Sequence, residues 1–282
     1  MIAVLGGLGA AVSWAITSLT AARASRLICA PAALAWVMLT GLLVVGPIVL
    51  VEGRPSALDA GAAGWLAISG AGNVAGLLLV YSGMRIGKVG IVAPVSSSEG
   101  AVAALIAVAA GERLGVGTGI ALAAIAAGVI LAARTSASID ESGHDDPRAV
   151  LFALAAAGSF GTSLYATGRA SVDLPIAWAV LPPRVFGVAL VTIPLLFLGR
   201  LRLTRAALPY VVGSGLAEVT GFASYAVGAR HGIAVSAVLG SQFAALAAIA
   251  AAFLFGERLG RAGIVGVVVI AAGVAAVSAL RA

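Results

Sequence analysis

Three ionisable residues, Glu99, Arg184 and Glu218, stand near the middle of long uncharged stretches of this sequence. Each such residue costs roughly 2.5–3.5 kcal/mol to insert into a membrane, so it is a candidate for function by default. If all three face one cavity, one carboxylate is left without an ionic partner. Because burial disfavours the charged form of a carboxyl group, that carboxylate could exchange protons or bind an amino group of a ligand. The alternative is an arginine–glutamate pair with a neutral acid that only joins helices.

Helix-breaking residues precede two of these charges. Pro94 and a run of serines come before Glu99, and Pro182–Pro183 come before Arg184. Proline removes a backbone donor and frees a carbonyl group in the preceding turn. Freed carbonyl groups at membrane depth are tolerated where they line a cavity or where neighbouring protein satisfies them. We therefore predict interrupted helices beside a polar cavity, with simple packing kinks as the alternative.

The composition places these charges inside a membrane. Hydrophobic residues make up 61% of the chain and charged residues 10%, whereas about a quarter of the residues in soluble domains are charged. Apolar runs of about twenty residues, the length of a membrane-spanning helix, recur along the whole chain. We predict an all-α integral membrane protein. Its ten predicted transmembrane helices are at residues 2–21, 31–51, 62–84, 90–110, 115–133, 149–168, 175–199, 206–229, 233–255 and 261–280.

Other classes of site find little support in the sequence. The 17 basic residues lie mostly singly or in pairs between the apolar runs, which argues against binding to nucleic acid. Cys29 is the only cysteine, so neither an intrachain disulfide nor a thiolate metal cluster is expected. His144 lies among acidic residues and could ligate a metal, but a solvated linker is the favoured interpretation. We predict no cofactor and no metal, and without a G-x-x-x-x-G-K loop we do not expect ATP to drive the protein.

The two halves of the chain are related by an internal repeat. The sequence Gly-Glu-Arg-Leu-Gly at 111–115 returns at 256–260, 145 positions later, and Ala-Ala-Gly-Val at 126–129 returns at 271–274 with the same shift. We interpret Glu112, at a span end in this motif, as a turn and interface residue, with a gating role as the alternative, and we interpret its repeat counterpart in the same way. The predicted organisation is a first five-helix unit at 1–133, a polar acidic linker at 134–148 and a second five-helix unit at 149–282.

An odd number of helices in each unit makes the second unit enter the membrane from the opposite side. Such inverted repeats are typical of secondary transporters, whose sites lie near the midplane between halves that rock against each other. The repeat also relates polar positions in the two units: Asn73 with Glu218, and Ser96–Ser97 with Ser241–Gln242. We therefore expect both units to contribute to one site.

The ten predicted spans and the duplicated Gly-Glu-Arg-Leu-Gly motif resemble the EamA-type transporters of the drug/metabolite transporter superfamily. The resemblance covers essentially the whole chain and implies export of amino acids, nucleobases and related metabolites, or carriage of sugar phosphates and nucleotide sugars. Small four-helix drug exporters of that superfamily use a carboxylate in the first span. The first span of this chain offers only Ser13, Trp14, Thr17 and Ser18. That mechanism is therefore not carried over.

Aromatic residues could complete the site. Trp14, Tyr165 and Trp178 could form a wall for a cation or a flat ring, although tryptophan at a span end is more often an interfacial anchor. Tyr225 shares a helix face with Glu218. The predicted substrate-binding residues are Glu99, Glu218, Arg184, Asn73, Ser96, Ser97, Ser241, Gln242, Trp14 and Tyr225.

These patterns favour a secondary transporter that exports small polar metabolites such as amino acids by alternating access. Glu99 and Glu218 would bind substrate or exchange protons, and Arg184 would hold an anionic group or tune one carboxylate; facilitated diffusion and exchange stay open. The in-class alternatives are a sugar-phosphate or nucleotide-sugar carrier and an organic-cation carrier. A non-transporting membrane scaffold and an intramembrane enzyme are the alternatives from other classes. The expected partners are a small metabolite, protons and the lipid bilayer, in the plasma (inner) membrane of a bacterium.

The charges between spans give one further expectation. Loops after odd-numbered spans carry eleven Lys and Arg residues, and the other loops with the C-terminus carry five. Because cytoplasmic loops are enriched in basic residues, this count favours both termini outside the cell. The family resemblance implies cytoplasmic termini instead, so the two predictions of orientation disagree.

Overall fold

The computed structural model describes residues 1–86, 92, 95–136, 147–255 and 261–280, and every regular element in these ranges is helical. The helices of the first half are α1 (Ile2–Ile28), α2 (Ala30–Glu52), α3 (Ala60–Ile86), α4 (Glu99–Ala109) and α5 (Val116–Ser136). Those of the second half are α6 (Pro147–Asp173), α7 (Ile176–Phe197), α8 (Leu208–Ala229), α9 (Ile233–Gly240), α10 (Phe243–Phe255) and α11 (Arg261–Leu280). The predictions made for Pro94, His144 and the repeated motif at 256–260 lie outside the described residues.

Five of the helices are long and apolar enough to cross a membrane: α1, α2, α3, the part of α6 from Arg148 to Asp173, and α7. The chain is therefore a multi-pass helical membrane protein, as its composition predicts. Helices α1, α2, α3 and α6 extend beyond the predicted spans because polar and charged residues continue the final turns, whereas α4, α7 and α8 are shorter than predicted. In α1, for example, the helix runs through Arg23 and Arg26 to Ile28.

The ninth predicted span, 233–255, is wrong as one continuous helix. The structure breaks it into α9 and α10 at a turn formed by Ser241 and Gln242. Ser241 Oγ and Gln242 Nε2 both donate hydrogen bonds to the carbonyl oxygen of Val238, each at 2.9 Å. Side chains that bond to nearby carbonyl groups compete with the helical backbone pattern, and this accounts for the break.

A similar interruption precedes α4 in the first half. Ser97 and Ser98 form a turn, and Ser98 Oγ donates a hydrogen bond of 2.7 Å to the carbonyl oxygen of Val95. The turn makes Glu99 the first residue of α4. A carboxylate is favourable at this position because the first turn of a helix presents unpaired N–H groups and the positive end of the helix dipole.

The proline pair in the seventh span does not break the helix, which corrects the sequence prediction. The α-helix continues through Pro182–Pro183 to Gly187, and the irregular turn is a π-helical segment at Val188–Thr192. Close packing supports this stretch: a Cβ atom at Gly70 of α3 would lie 2.9 Å from the carbonyl oxygen of Pro182. Thr192 Oγ1 also donates to the carbonyl oxygen of Ala35, at 3.1 Å.

The main contacts join the two halves of the chain. Helix α1 packs on α8, α3 on α6, α2 on α7, α4 on α9 and α5 on α11. Small residues permit the close approach: a Cβ atom at Gly6 of α1 would lie only 2.5 Å from Gly228 Cα of α8. The core between the halves is apolar and includes Trp14, Phe222 and Tyr225.

Helices α1 and α8 run antiparallel, as do α3 and α6, and this defines two ends of the bundle. Ile28, at the end of α1, packs with Ala207 just before α8. We call this the Ile28 end; α3 ends here as well. At the opposite end, Glu112 lies beside the start of α9, and α4, α6 and α8 finish there. We call this the Glu112 end.

Candidate functional site

A cavity of about 330 Å³ lies between the two halves, and we call it the central cavity. Its wall combines two carboxylates with an apolar and aromatic surface. The polar and acidic lining residues are Thr17, Ser18, Asn73, Ser96, Ser97, Glu99, Ser163 and Glu218. The apolar lining residues are Trp14, Leu77, Val80, Met84, Phe160, Leu164, Phe222, Phe243 and Ala244. No basic residue of the described ranges lines it, so its described wall carries only acidic ionisable groups.

Six of the ten predicted site residues lie on this wall: Trp14, Asn73, Ser96, Ser97, Glu99 and Glu218. They come from α1, α3, α8 and the segment that leads into α4, so packing of the two halves brings distant parts of the sequence together. The sequence prediction missed Thr17 and Ser18 as lining residues, although they follow Trp14 by three and four positions and so share its helix face. It also missed Ser163, a hydroxyl group in the middle of an apolar helix.

The other four predicted residues are not on the described wall of the central cavity; these are Arg184, Tyr225, Ser241 and Gln242. Tyr225 donates its hydroxyl to the carbonyl oxygen of Leu164 at 2.8 Å, which ties α8 to α6. Ser241 and Gln242 are held by the carbonyl of Val238 at the break between α9 and α10. All four are almost completely buried, and hydrogen bonds inside the helical packing satisfy most of their polar groups.

Arg184 lies behind the wall and contacts Glu218. Its Nη1 is 3.5 Å from Oε1 of Glu218, and its Nη2 donates to the backbone carbonyl of the same residue at 3.4 Å. The guanidinium carbon also lies 4.8 Å from the ring centre of Phe222, a favourable arrangement for a cation. Arg184 is fully buried, whereas 15% of the Glu218 side chain is exposed. The positive charge of Arg184 therefore balances the negative charge of Glu218.

Glu99 has a different environment. It is buried, with 9% of its surface exposed, and it lines the central cavity. Among the described residues, no side chain forms an ion pair or a hydrogen bond with its carboxylate. Its favourable local interaction is with the N-terminus of α4, which it begins. The carboxylate of Glu99 is thus the unbalanced charge of the cavity wall.

Two polar atoms of the lining residues also lack partners. Trp14 Nε1 is a buried donor and Asn73 Oδ1 a buried acceptor, and neither has a hydrogen-bond partner among the residues that the structure describes. Buried polar atoms are paired in the great majority of cases, so an unpaired one requires a reason. A ligand in the central cavity with both donors and acceptors would supply such partners after a small rotation of either side chain.

The aromatic wall predicted from Trp14, Tyr165 and Trp178 is only partly correct. Trp14 lines the cavity and packs edge-on against Phe222 and Phe243, at ring-centre distances of 5.3 and 6.2 Å. Tyr165 packs instead on another aromatic ring near the Glu112 end. The Nε1 atom of Trp178 donates to a backbone carbonyl after α2 at 3.1 Å, because the residue lies at a helix start.

Hydroxyl groups fix the position of Asn73 in the wall. Ser69, one turn before Asn73 in α3, forms a hydrogen bond of 2.6 Å with Thr167 of α6. Ser163 Oγ donates to the backbone carbonyl of Ser69 at 2.7 Å. These bonds join α3 to α6 across the two halves. They therefore hold one side of the cavity in a defined register.

Towards the Glu112 end, the two halves are tied together by a carboxylate. Glu112 Oε2 accepts hydrogen bonds from the backbone N–H groups of Ile233 and Ala234, at 3.1 and 3.2 Å. These are the first two residues of α9, whose N–H groups have no partner within the helix. The contact agrees with the interpretation of Glu112 as an interface residue. In the described ranges no group of three or more His, Cys, Asp or Glu residues could hold a metal ion.

Comparison with solved structures supports the fold of the whole chain. A structure described only as "Crystal structure of protein" superimposes with a TM-score of 0.78 at 18% sequence identity, covering 99% of this chain and 96% of that one. At this identity the likeness concerns the fold alone. No curated protein matches the chain.

The family comparison concerns the first half. The matched segment contains α1 to α4 and most of α5, including Glu99, Asn73 and the first Gly-Glu-Arg-Leu-Gly motif. It therefore supplies the part of the cavity wall that holds the unbalanced carboxylate. Residues 1–134 match the model of the EamA-like transporter family, the family that the sequence resembles.

Proposed function

We propose that the protein is a secondary transporter that exports a small metabolite bearing a protonated amino group through the central cavity. The observation that carries this proposal is the carboxylate of Glu99, buried on the wall of a cavity with no described basic lining residue. A charge in such a place is costly unless it has a task. A ligand ammonium group would balance it, and a proton would do so when the ligand is absent.

The proposed mechanism is alternating access between two inverted five-helix units, residues 1–133 and 149–282, joined by the linker 134–148. The reciprocal packing of α1 on α8 and α3 on α6 supports it, because units related by an in-plane two-fold axis exchange corresponding contacts. The 145-residue sequence repeat and the end of the family match at residue 134 point in the same direction.

The cavity wall also bears on the substrate class. Amino acids suit it because Glu99 would take the ammonium group, while Trp14 Nε1 could donate to the carboxylate. The aromatic surface of Trp14, Phe160, Phe222 and Phe243 favours an apolar or aromatic side chain. A second candidate is an organic amine without a carboxylate, favoured by the absence of a described lining base. Sugar phosphates fit less well for the same reason.

The proposal gives Glu99 and Glu218 different tasks. Glu218 keeps Arg184 balanced and contributes a partly exposed carboxylate to the wall. Glu99 binds the ligand ammonium group or a proton, but not both at once. Competition of this kind couples substrate movement in one direction to proton movement in the other, and it makes transport dependent on pH.

The test is transport by the purified protein in liposomes, with aromatic amino acids, aliphatic amino acids and organic amines as radiolabelled substrates. We expect one of these classes to be transported at a rate that depends on pH. Glu99→Gln should lower that rate at least about tenfold, the effect of losing one charged hydrogen bond, and should abolish its pH dependence. The matched control is Glu52→Gln, at the exposed end of α2, which should transport normally.

Four results would decide against parts of this proposal. Transport of amino acids with no transport of organic amines would eliminate the second candidate, and the reverse result would eliminate amino acids. Normal pH-dependent transport by both Glu99→Gln and Glu218→Gln would contradict the task given to the carboxylates. Transport of none of the three classes would contradict the proposal of an amine-bearing substrate.

A further inference from the structure

A second cavity, of about 460 Å³, lies at the Glu112 end of the bundle. It is bordered by the ends of α4, α6 and α8 and by the start of α9. Three arginines line it, Arg113, Arg169 and Arg230, together with His231, and we call it the arginine cavity. The carboxylate on its described wall is that of Glu112. Three guanidinium groups therefore face one carboxylate.

That carboxylate is already engaged. Glu112 accepts hydrogen bonds from the backbone N–H groups of Ile233 and Ala234. No described residue forms an ion pair with Arg113 or Arg169, and both side chains are exposed to the cavity and to solvent. The positive charge of the cavity is thus not balanced by the described part of the chain.

Arg230 is fixed in place before any ligand arrives. Its Nε donates to the carbonyl oxygen of Ser171 at 2.5 Å, and its Nη2 donates to that of Leu174 at 2.7 Å. These carbonyl groups belong to the C-terminal end of α6 and the residues after it, where a cation is favourable. A guanidinium group held in this way loses little conformational entropy when it meets an anion.

Tyr165 adds a hydrogen-bond donor to the arginine cavity. Only 8% of its surface is exposed, its ring packs on Trp65 at a centre-to-centre distance of 5.7 Å, and it lines the arginine cavity. Its hydroxyl group forms no hydrogen bond within the described ranges. The hydroxyl is not one of the fully buried polar atoms, so it is open to the cavity and can donate to an acceptor atom there.

Arg169 also borders a smaller neighbouring cavity that contains Asp59 and Asp173. Neither carboxylate forms an ion pair with it, and Asp59 accepts a hydrogen bond from the N–H group of Ala62 at the start of α3. The guanidinium of Arg169 therefore remains available to the arginine cavity.

We propose that the arginine cavity binds a phosphate group, with Arg113, Arg169 and Arg230 as cationic partners and the hydroxyl of Tyr165 as a donor. Guanidinium groups suit phosphate because their planar N–H pairs match two of its oxygen atoms. The cavity lies at an end of the helices, where both a phospholipid headgroup and a phosphate compound in solution can reach it. This site is separate from the central cavity and does not depend on the proposed substrate.

The test measures phosphate binding by the full-length protein in two arms. The first arm measures binding of inorganic phosphate to the detergent-solubilised protein by calorimetry. The second measures thermal stability in nanodiscs of phosphatidylcholine with and without phosphatidylglycerol. The variants are the double substitution Arg113→Gln with Arg169→Gln, and the single substitution Tyr165→Phe, which keeps the ring on Trp65. The control is Arg200→Gln, an exposed arginine at the Ile28 end.

We expect the double substitution to weaken binding at least about tenfold in the arm that detects it, the effect of losing a charged hydrogen bond. Tyr165→Phe should weaken it by a smaller factor, and Arg200→Gln should not change it. An effect of inorganic phosphate would identify a soluble ligand, whereas stabilisation by phosphatidylglycerol alone would identify a lipid headgroup. No effect in either arm, or an equal loss with Arg200→Gln, would overturn the proposal.

Discussion

The two carboxylates of the central cavity, Glu99 and Glu218, share a wall but not an electrostatic environment. Glu218 has the guanidinium of Arg184 at 3.5 Å and keeps 15% of its side chain exposed. Glu99 is more deeply buried and has no partner among the described side chains. The two acids are therefore distinguished by their charge partners and not by burial alone. Arg184 balances the charge of Glu218, whereas in the proposed function the unbalanced carboxylate of Glu99 binds the ligand.

The largest effect on stability is expected from the removal of Arg184. Arg184→Gln leaves Glu218 on the cavity wall without its counter-charge, and loss of one partner of a buried ion pair typically costs about 3–5 kcal/mol. We expect the free energy of unfolding in detergent to fall by about that amount. The double variant Arg184→Gln with Glu218→Gln should recover most of the loss, because no charge is then left unpaired. If Arg184→Gln were as stable as the wild type, the ion pair between Arg184 and Glu218 would not contribute to stability.

A smaller effect on stability is expected from a substitution that displaces Trp14 in the cavity wall. Gly221 of α8 lies against the Trp14 ring, and a Cβ atom there would be 2.5 Å from Trp14 Nε1. Gly221→Ala must displace the indole, so we expect a loss of about 2 kcal/mol, typical of overpacking, and weaker substrate binding. The control is Gly213→Ala on the same helix, where nothing lies within 4 Å of the added Cβ. Equal stability of the two variants would contradict the packing described for Trp14.

A third carboxylate, that of Glu112, extends the comparison because its hydrogen-bond partners are backbone N–H groups. Glu112 accepts the N–H groups of Ile233 and Ala234, and the loss of a helix-capping acceptor costs typically about 1 kcal/mol. Glu112→Gln keeps the shape but removes the charge and replaces one acceptor oxygen with an N–H donor, so thermal unfolding should show a loss of up to about that size. Glu52→Gln, an exposed acid at the C-terminal end of α2, should show none. If the two variants lost the same stability, the contact of Glu112 with the start of α9 would contribute nothing to stability.

The sequence identifies the ionisable residues inside the apolar runs but does not identify their ion-pair partners. The depth of Glu99, Arg184 and Glu218 in apolar runs follows from hydropathy, and the repeat correctly drew Asn73 into the same wall as Glu218. The pairing of Arg184 with Glu218, not with Glu99, depends on which helix faces meet. Neither composition nor periodicity specifies those contacts.

Two features of the structure that the sequence alone does not specify have the same physical origin. The repeat predicts Ser241 and Gln242 in the site because their counterparts lie beside Glu99. In the structure both side chains donate hydrogen bonds to the carbonyl oxygen of Val238, within their own half. A hydroxyl or amide next to a helix break can serve the backbone or a cavity equally well. Similarly, the partners of Glu112 lie 121 and 122 positions away in sequence. Only the packing of the halves shows that its carboxylate meets a helix start.

The smallest expected change in stability is the most informative. Glu99→Gln removes no ion pair and no described hydrogen bond, and the amide has the shape of the carboxylate. We therefore expect no loss in the free energy of unfolding, because neutralising an unpaired buried charge removes a cost, while transport falls at least about tenfold. Both measurements are needed because substitution of a structural acid would lower stability and transport together. A loss of stability as large as that of Arg184→Gln would place Glu99 in the same class as Glu218 and end the distinction between them.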